Sequence, residues 1–342
     1  MYPNSYHYKE VFTLENGQQI PELTIAYHTS EPVWSGKKVL WICHALTANS
    51  NPVEWWEVMV GAGKCFDPHE YFIVCANILG SCYGSTGPMS LNPATGMPYY
   101  DSFPLLSVRD LVAAHYLLCK QLGIDQIDVV VGSSIGGFQA LEFAICYPQL
   151  CKQLVLIASN ARVSPWGTAY NESQRMAILT DPTYTERRLG GGDKGLAVAR
   201  SIALLSYRSH RGYGLSQAET DPDTLLAQKA ATYQQYQGEK LRRRFDAYSY
   251  MALTKIFDTH NVGRGRGGVE KALQTVCART LCVGISDDQL FLPHEVAYVA
   301  QHIRGASYAS LHSDYGHDGF LLEWEALTQI IRTFLLNQYS AN

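Results

Sequence analysis

Charged residues and long apolar runs are both scarce in this chain of 342 residues. Only 17% of the residues are charged, and the formal net charge is −4. A chain without excess positive charge has no electrostatic attraction to nucleic acid or to an anionic membrane surface, so neither is expected as a partner. No uninterrupted apolar stretch reaches the ~18 residues that a membrane-spanning helix needs. The hydrophobic share of 46% instead favours a globular protein with a large core.

Export signals and disulfide patterns are missing as well. The first ten residues contain no basic segment followed by an apolar one. The nine cysteines are an odd number without Cys-x-x-Cys spacing, and several lie in apolar runs, such as Cys43 after Trp41-Ile42. This usage is typical of reduced core cysteines. We therefore expect a cytoplasmic protein.

Short apolar runs alternate with segments of helical period along most of the chain. The runs are residues 39–42, 72–76, 127–131, 154–157 and 281–285. This alternation predicts an α/β fold with a mostly parallel sheet covered by helices on both faces. Between the runs, Ser107 is the expected N-cap of a helix that ends at Gly123, and residues 138–147 form a second predicted helix, stopped by Pro148.

The alternation fails between about residues 160 and 272, where Ala, Gln, Arg and Tyr dominate. We interpret this stretch as a mainly helical insertion. The predicted organisation is a core domain of residues 1–160 and 273–342 and a helical lid domain of residues 161–272. Helices are expected at 171–179, 195–207 and 222–237 in the lid, and at 320–336 at the end of the core.

A Gly-x-Ser-x-Gly pattern stands between a predicted strand and a predicted helix. It reads Gly132-Ser133-Ser134-Ile135-Gly136. In the α/β-hydrolase fold this strand-turn-helix setting is the nucleophile elbow, where small residues allow a strained backbone and expose the serine hydroxyl. Ser134 is therefore the predicted nucleophile, and Ser133 is a rival hydroxyl that occupies the x position.

A serine nucleophile needs a base, and the base needs an acid to orient it. In this fold the three follow in the order Ser, Asp, His. His317 lies on a Gly-flanked turn after the strand-like run 307–311 and is the best base. For the acid, Asp287 and Asp288 both follow the run 281–285, and position does not separate them.

The oxyanion hole of this fold uses two backbone N–H groups. One belongs to Ile135, directly after the nucleophile, and Leu46 in the loop after an early strand is the expected second donor. His44 beside it has no second ligand at useful spacing, so we predict a structural role and no metal site. The run Arg242-Arg243-Arg244 is interpreted as a solvated helix face.

Together with the elbow, several longer segments resemble the homoserine O-acetyltransferase family over nearly the whole chain. They are residues 43–47, 77–88, 92–96, 132–139, 171–175, 288–291 and 316–318. The resemblance implies that Asp288 is the acid, that Arg200 binds the carboxylate of the amino-acid substrate, and that Asp318 holds its ammonium group. A guanidinium and a carboxylate suit those two charges.

The resemblance also implies a reaction. Acetyl-CoA would acetylate Ser134, and L-homoserine would then take the acetyl group in a ping-pong cycle of methionine biosynthesis. Acetyl-CoA is a co-substrate, no cofactor is expected, and a homodimer through the lid is implied. The alternatives are a relative that uses succinyl-CoA or serine, and an esterase that delivers the acyl group to water.

Overall fold

The computed structural model describes residues 1–336 and is built around one eight-stranded sheet. Its strands, in order across the sheet, are β1 (Tyr2–Tyr8), β4 (Leu23–Thr29), β6 (Tyr71–Ala76), β5 (Lys38–Cys43), β7 (Ile127–Ser133), β8 (Cys151–Ile157), β9 (Arg279–Ile285) and β10 (Ser307–Leu311). From β6 to β10 all neighbours are parallel, while β1 and β4 extend the sheet in antiparallel pairing. Strands β2 (Phe12–Thr13) and β3 (Gln19–Ile20) form a separate antiparallel pair.

Twelve α-helices separate or follow these strands within residues 1–336. They are α1 (Pro52–Trp55), α2 (Val108–Gln121), α3 (Ile135–Cys146), α4 (Pro165–Leu179), α5 (Asp193–Tyr207), α6 (His210–Gln217), α7 (Lys229–Arg242), α8 (Ala247–Asp258), α9 (Val269–Leu273), α10 (Pro293–His302), α11 (Gly319–Leu322) and α12 (Trp324–Leu336). Within the described part of the chain, no helix combines the length and the apolar character needed to cross a bilayer.

The central strands are buried on both faces. In β5, Trp41 packs into a core on the side of helices α2 and α3, whereas the next residue, Ile42, packs into a second core that includes Ile331 of α12. All six residues of β6 are buried. Strands covered on both faces bury side chains at every position, which explains their continuous apolar runs. The predicted mostly parallel sheet with helices on both faces is confirmed.

The structure agrees with the predicted elements of the core in type and differs at some boundaries. Ser107 caps α2 through a reciprocal pair of hydrogen bonds with Asp110. Helix α3 begins at Ile135, earlier than predicted, because its N-cap is Ser134. The helix predicted at 320–336 is divided in two, because Glu323 leaves the helical backbone conformation between α11 and α12.

Between β8 and β9 the chain is helical and contains no strand of either sheet. The helices predicted at 171–179 and 195–207 are present in α4 and α5, and α4 begins earlier because Pro165 takes its first position after the N-cap Ser164. The start of the helix predicted at 222–237 is wrong. The backbone N–H of Asp223 donates to Oδ1 of Asp221 in a turn, and α7 begins only at Lys229. Helices α6 and α8 were not predicted.

The elbow between β7 and α3 is the tightest backbone contact near the sheet edge. A Cβ at Gly136 would lie 2.1 Å from the carbonyl oxygen of Cys43, and one at Gly132 would lie 2.1 Å from the carbonyl oxygen of Gly136. Real Cβ atoms do not approach other atoms that closely. The start of α3 therefore lies against the end of β5 only because both positions are glycine.

We expect Gly136→Ala to lower the free energy of unfolding by about 3 kcal/mol or more, because the new methyl group must displace the backbone of β5. The matched control is Gly214→Ala in α6, where an added Cβ meets nothing within 4 Å. Its alanine should be neutral or slightly stabilising. Urea unfolding followed by tryptophan fluorescence measures both. Equal stability of the two variants would contradict this account of the elbow.

Candidate active site

Ser134 lies at the sharp turn from β7 into α3 with a backbone conformation that is rare for a residue with a side chain. Its φ is 57° and its ψ is −128°. The turn is fixed on both sides, since the Ser134 N–H donates to the carbonyl of Ile157 at 3.1 Å and the Ser134 carbonyl accepts from the N–H of Gly137 at 2.9 Å. Such strain persists only where the surroundings enforce it, and it is common at functional sites.

A cavity of about 500 Å³ opens over Ser134. Five of the seven residues predicted for the site line it: Leu46, Ser134, Arg200, His317 and Asp318. The other two, Ile135 and Asp288, lie behind these and are buried. The rival hydroxyl of Ser133 is buried in β7 and is not part of the cavity wall. The structure thus brings the predicted residues to one place from distant parts of the chain.

His317 and Asp288 form a buried pair. The Nδ1 atom of His317 lies 2.7 Å from Oδ2 of Asp288. The other oxygen of Asp288 accepts the backbone N–H groups of Leu290 and Phe291 at 2.8 and 2.9 Å. Asp287 is exposed instead. This geometry separates the two aspartates that sequence position left open, because only Asp288 contacts the histidine.

The environment of His317 sets its charge. Burial by itself would lower its pKa, but the nearby carboxylate of Asp288, helped by Asp318, outweighs burial and raises the pKa above the ordinary value of 6.5. Among the described residues no hydrogen bond joins His317 to Ser134. The rings of Phe291 and Phe320 lie 5.2 and 5.6 Å from the imidazole, centroid to centroid, and restrict its position.

The backbone N–H groups of Leu46 and Ile135 are available to an incoming oxygen. Neither has a hydrogen-bond partner in the part of the chain that the structure describes. Ile135 is the first residue of α3, where the partial positive charge of the helix N-terminus favours a negative oxygen. Leu46 follows β5 and lines the cavity. An oxygen that develops negative charge at Ser134 would have one donor in the cavity wall, at Leu46, and one directly after Ser134 in the chain, at Ile135.

His44 fixes the loop that carries Leu46. Its Nε2 accepts the N–H of Ile78 at 3.0 Å, which leaves Nδ1 to donate to the carbonyl of Ala45 at 2.9 Å. Burial lowers the pKa of His44 to about 4, so the ring is neutral and keeps one tautomer. Gln139 of α3 donates to the His44 carbonyl. These contacts agree with the structural role predicted for His44.

Opposite charges meet at the far wall of the cavity. Arg200 extends from α5 with its guanidinium 5.3 Å from the ring centroid of Tyr207. Asp318 is paired with Arg208, whose Nε lies 3.0 Å from Oδ2. Burial raises the pKa of Asp318, while Arg208 and Arg200 counteract that rise. The family resemblance gave no indication of the Arg208 pair. Among residues 1–336 the other oxygen of Asp318 has no polar partner.

Sequence reasoning missed several residues of the cavity wall. The ring of Tyr207 is tilted relative to that of His317, with centroids 5.8 Å apart, and Trp55 lies on α1. Neither stands in a motif or a periodic pattern, so no local signal could have identified them. The interpretation of Arg242-Arg243-Arg244 as a solvated helix face fits the first two, which are exposed, but it is incomplete for Arg244, which follows α7 and lines the cavity.

Comparisons with known proteins agree with this geometry. Residues 38–323 match the family model described as the alpha/beta hydrolase fold. The chain is 42% identical to a homoserine O-acetyltransferase of Cyclobacterium marinum, over 97% of this chain and 94% of that protein. It also resembles the crystal structure of a homoserine O-acetyltransferase from Staphylococcus aureus, with a TM-score of 0.83, 28% identity, and 99% and 97% of the two chains covered.

The fold is shared more widely than that function. The crystal structure of esterase E22 superimposes with a TM-score of 0.87 over 97% of this chain and 100% of the esterase, at 22% identity. At that identity the likeness concerns the fold alone. The match at 42% over nearly the whole length is the specific one, and by it the chain belongs to the homoserine O-acetyltransferase family.

Proposed function

We propose that this protein transfers the acetyl group of acetyl-CoA to the hydroxyl of L-homoserine through an acyl-enzyme on Ser134. The observation that carries the choice of acetyl and homoserine is the 42% identity to the Cyclobacterium marinum homoserine O-acetyltransferase over 97% of the chain. The site geometry supports the acyl-serine chemistry independently, through the cavity that Ser134 and His317 share.

In the first half-reaction, Nε2 of His317 takes the hydroxyl proton of Ser134, and Oγ attacks the thioester carbonyl. The hydrogen bond between these two side chains, which is absent among the described residues, would form when substrate is bound. The N–H groups of Leu46 and Ile135 stabilise the negative oxygen of the tetrahedral intermediate. When the C–S bond breaks, His317 gives its proton to the CoA sulfur, and the acetyl group stays on Ser134.

In the second half-reaction, His317 removes the hydroxyl proton of homoserine, whose oxygen attacks the acetyl ester. The C–O bond to Ser134 breaks, and the proton returns to the serine. Asp288 orients the imidazole and stabilises its charged form in both steps. The product is O-acetylhomoserine, and the cycle needs no cofactor.

Arg200 and Asp318 bind the amino-acid part of homoserine in this proposal. The guanidinium of Arg200 has no carboxylate within ion-pair distance in the described chain, so it is free to bind the substrate carboxylate. Oδ2 of Asp318 is already paired with Nε of Arg208. The substrate ammonium group would therefore bind at Oδ1, and Arg208 would fix the orientation of that carboxylate.

We further propose that residues 161–272 act as a lid that limits the access of water to the acyl-enzyme. A homodimer through this lid is supported by apolar side chains exposed on its helices, among them Val198, Leu205 and Leu215. A cytoplasmic location agrees with a reaction that consumes acetyl-CoA, which cells make and use internally.

Mass spectrometry of the intact protein tests the acyl-enzyme. Acetyl-CoA alone should add one acetyl group, located on Ser134 by peptide mapping, and L-homoserine should remove it with formation of O-acetylhomoserine. Succinyl-CoA and L-serine are the matched alternatives for donor and acceptor. Faster acylation by succinyl-CoA would overturn the choice of acetyl, faster transfer to serine the choice of homoserine, and rapid loss of the adduct to water would indicate an esterase.

Replacement of the two adjacent aspartates should have opposite results. Asp288→Asn should reduce kcat by orders of magnitude, because the histidine loses the carboxylate that orients its ring and stabilises its charge. Asp287→Asn, at an exposed position one residue away, is the control and should retain nearly full kcat. Steady-state assays of CoA release compare them. A large loss in the Asp287 variant alone would exclude the proposed acid.

The pH dependence of acylation should follow His317. The base must be neutral to accept a proton, so kcat/KM for the donor should decrease as the pH falls through the pKa of His317, which lies above 6.5. Because CoA phosphates also titrate, p-nitrophenyl acetate serves as a second donor without them. The acidic limb should coincide for both donors. A limb clearly below pH 6.5 with p-nitrophenyl acetate would contradict the raised pKa.

A further inference from the structure

Arg244 connects the helical insertion to the sheet domain at the wall of the active-site cavity. Its Nη1 donates to the carbonyl of Thr47 and to the hydroxyl of Tyr83, both at 2.6 Å. Thr47 directly follows Leu46, and all four residues line the same cavity as Ser134. A charged group is thus held at the cavity by contacts that leave it exposed.

The charge of Arg244 is not neutralised by the protein. In residues 1–336 no carboxylate lies within ion-pair distance of the Arg244 guanidinium. Of the three guanidinium nitrogens, Nη1 alone has a hydrogen-bond partner among these residues. Most other arginines of the insertion do have carboxylate partners. Arg187 pairs with Asp101, Arg208 with Asp318, Arg211 with Asp314, and Arg242 with Glu239. A guanidinium left with open donors in a cavity is suited to oxygen atoms of a ligand.

The two arginines of the cavity without ion pairs stand in different surroundings. Arg200 contacts Tyr207 and acts on the carboxyl of Asp318. Arg244 contacts Tyr83 and Thr47, and its charge opposes the rise that burial causes in the pKa of Tyr83. The amino-acid substrate is already assigned to the Arg200 side. The remaining substrate, which carries phosphates and amide carbonyls, needs its own contacts.

We propose that Arg244 binds the CoA moiety of the acyl donor, with its free N–H groups donating to phosphate or carbonyl oxygens of that moiety. This inference rests on the proposed use of acetyl-CoA and adds a donor-binding residue to it. Arg243, exposed beside it, contributes positive charge to the same segment of chain but does not line the cavity.

The test is Arg244→Gln, compared with wild type and with the neighbouring control Arg243→Gln. Calorimetric titration with free CoA should show a Kd about ten- to a hundredfold higher for Arg244→Gln, the range expected for a lost hydrogen bond from a charged group. KM for acetyl-CoA should rise in parallel, with KM for homoserine unchanged. Arg243→Gln should bind CoA like wild type. An unchanged Kd in Arg244→Gln would overturn the proposal.

Two further measurements separate donor binding from a purely structural connection. Acylation of Ser134 by p-nitrophenyl acetate needs no CoA and should proceed at the wild-type rate in Arg244→Gln. Tyr83→Phe removes one acceptor of Arg244 but keeps the cation, and it should retain CoA affinity. Equal loss with p-nitrophenyl acetate, or an equal loss of CoA affinity in Tyr83→Phe, would overturn the proposal in favour of a structural role. Absence of CoA binding in wild type would instead overturn the proposed function itself.

Discussion

The close approach of backbone segments at the elbow is the constraint on which the rest of the site depends. Gly132, Gly136 and Gly137 leave no side chains between β7, α3 and their neighbours, so the start of α3 lies directly against the carbonyl of Cys43. The loop after β5 is thereby brought beside the N-terminus of α3, with Leu46 in the cavity wall and Ile135 directly after Ser134. A methyl group at this crossing would separate the start of α3, and with it Ser134, from the loop that carries Leu46. The strained conformation of Ser134 is maintained by this packing.

The sheet could be predicted from the sequence because its strands are buried on both faces. Such strands appear in the sequence as continuous apolar runs, and all five predicted runs lie within strands of the sheet. Strands β1 and β4 were missed because neither contains a continuous apolar run. Strand β1 has no buried residue and includes Asn, Ser and His, while β4 alternates buried with half-buried residues and includes Thr and His. In the helical insertion, helices such as α7 are largely exposed, so their apolar periodicity is weak and their limits depend on local turns.

The site divides in the same way. The elbow at Ser134 and the later position of His317 could be predicted, because each lies in a short local motif whose small residues the turn requires. The choice between Asp287 and Asp288 could not be derived from position, since it depends on which carboxylate turns inward to the imidazole. Arg208 and Arg244 were beyond prediction for another reason. Their roles arise from tertiary contacts with Asp318 and Tyr83, which lie more than a hundred residues away along the chain.

The acceptor is a separate question from the catalytic residues, because esterase E22 shares the fold at a TM-score of 0.87. Water as acceptor needs no charged binding groups. This cavity nevertheless contains Asp318, a half-buried carboxyl whose pKa is raised by desolvation, together with Arg200 and a supporting contact from Arg208. Keeping such charges away from water costs stability unless each has a partner. An amino acid supplies both missing partners at once, a carboxylate for Arg200 and an ammonium group for the free oxygen of Asp318. The charged wall therefore favours an amino-acid acceptor over water.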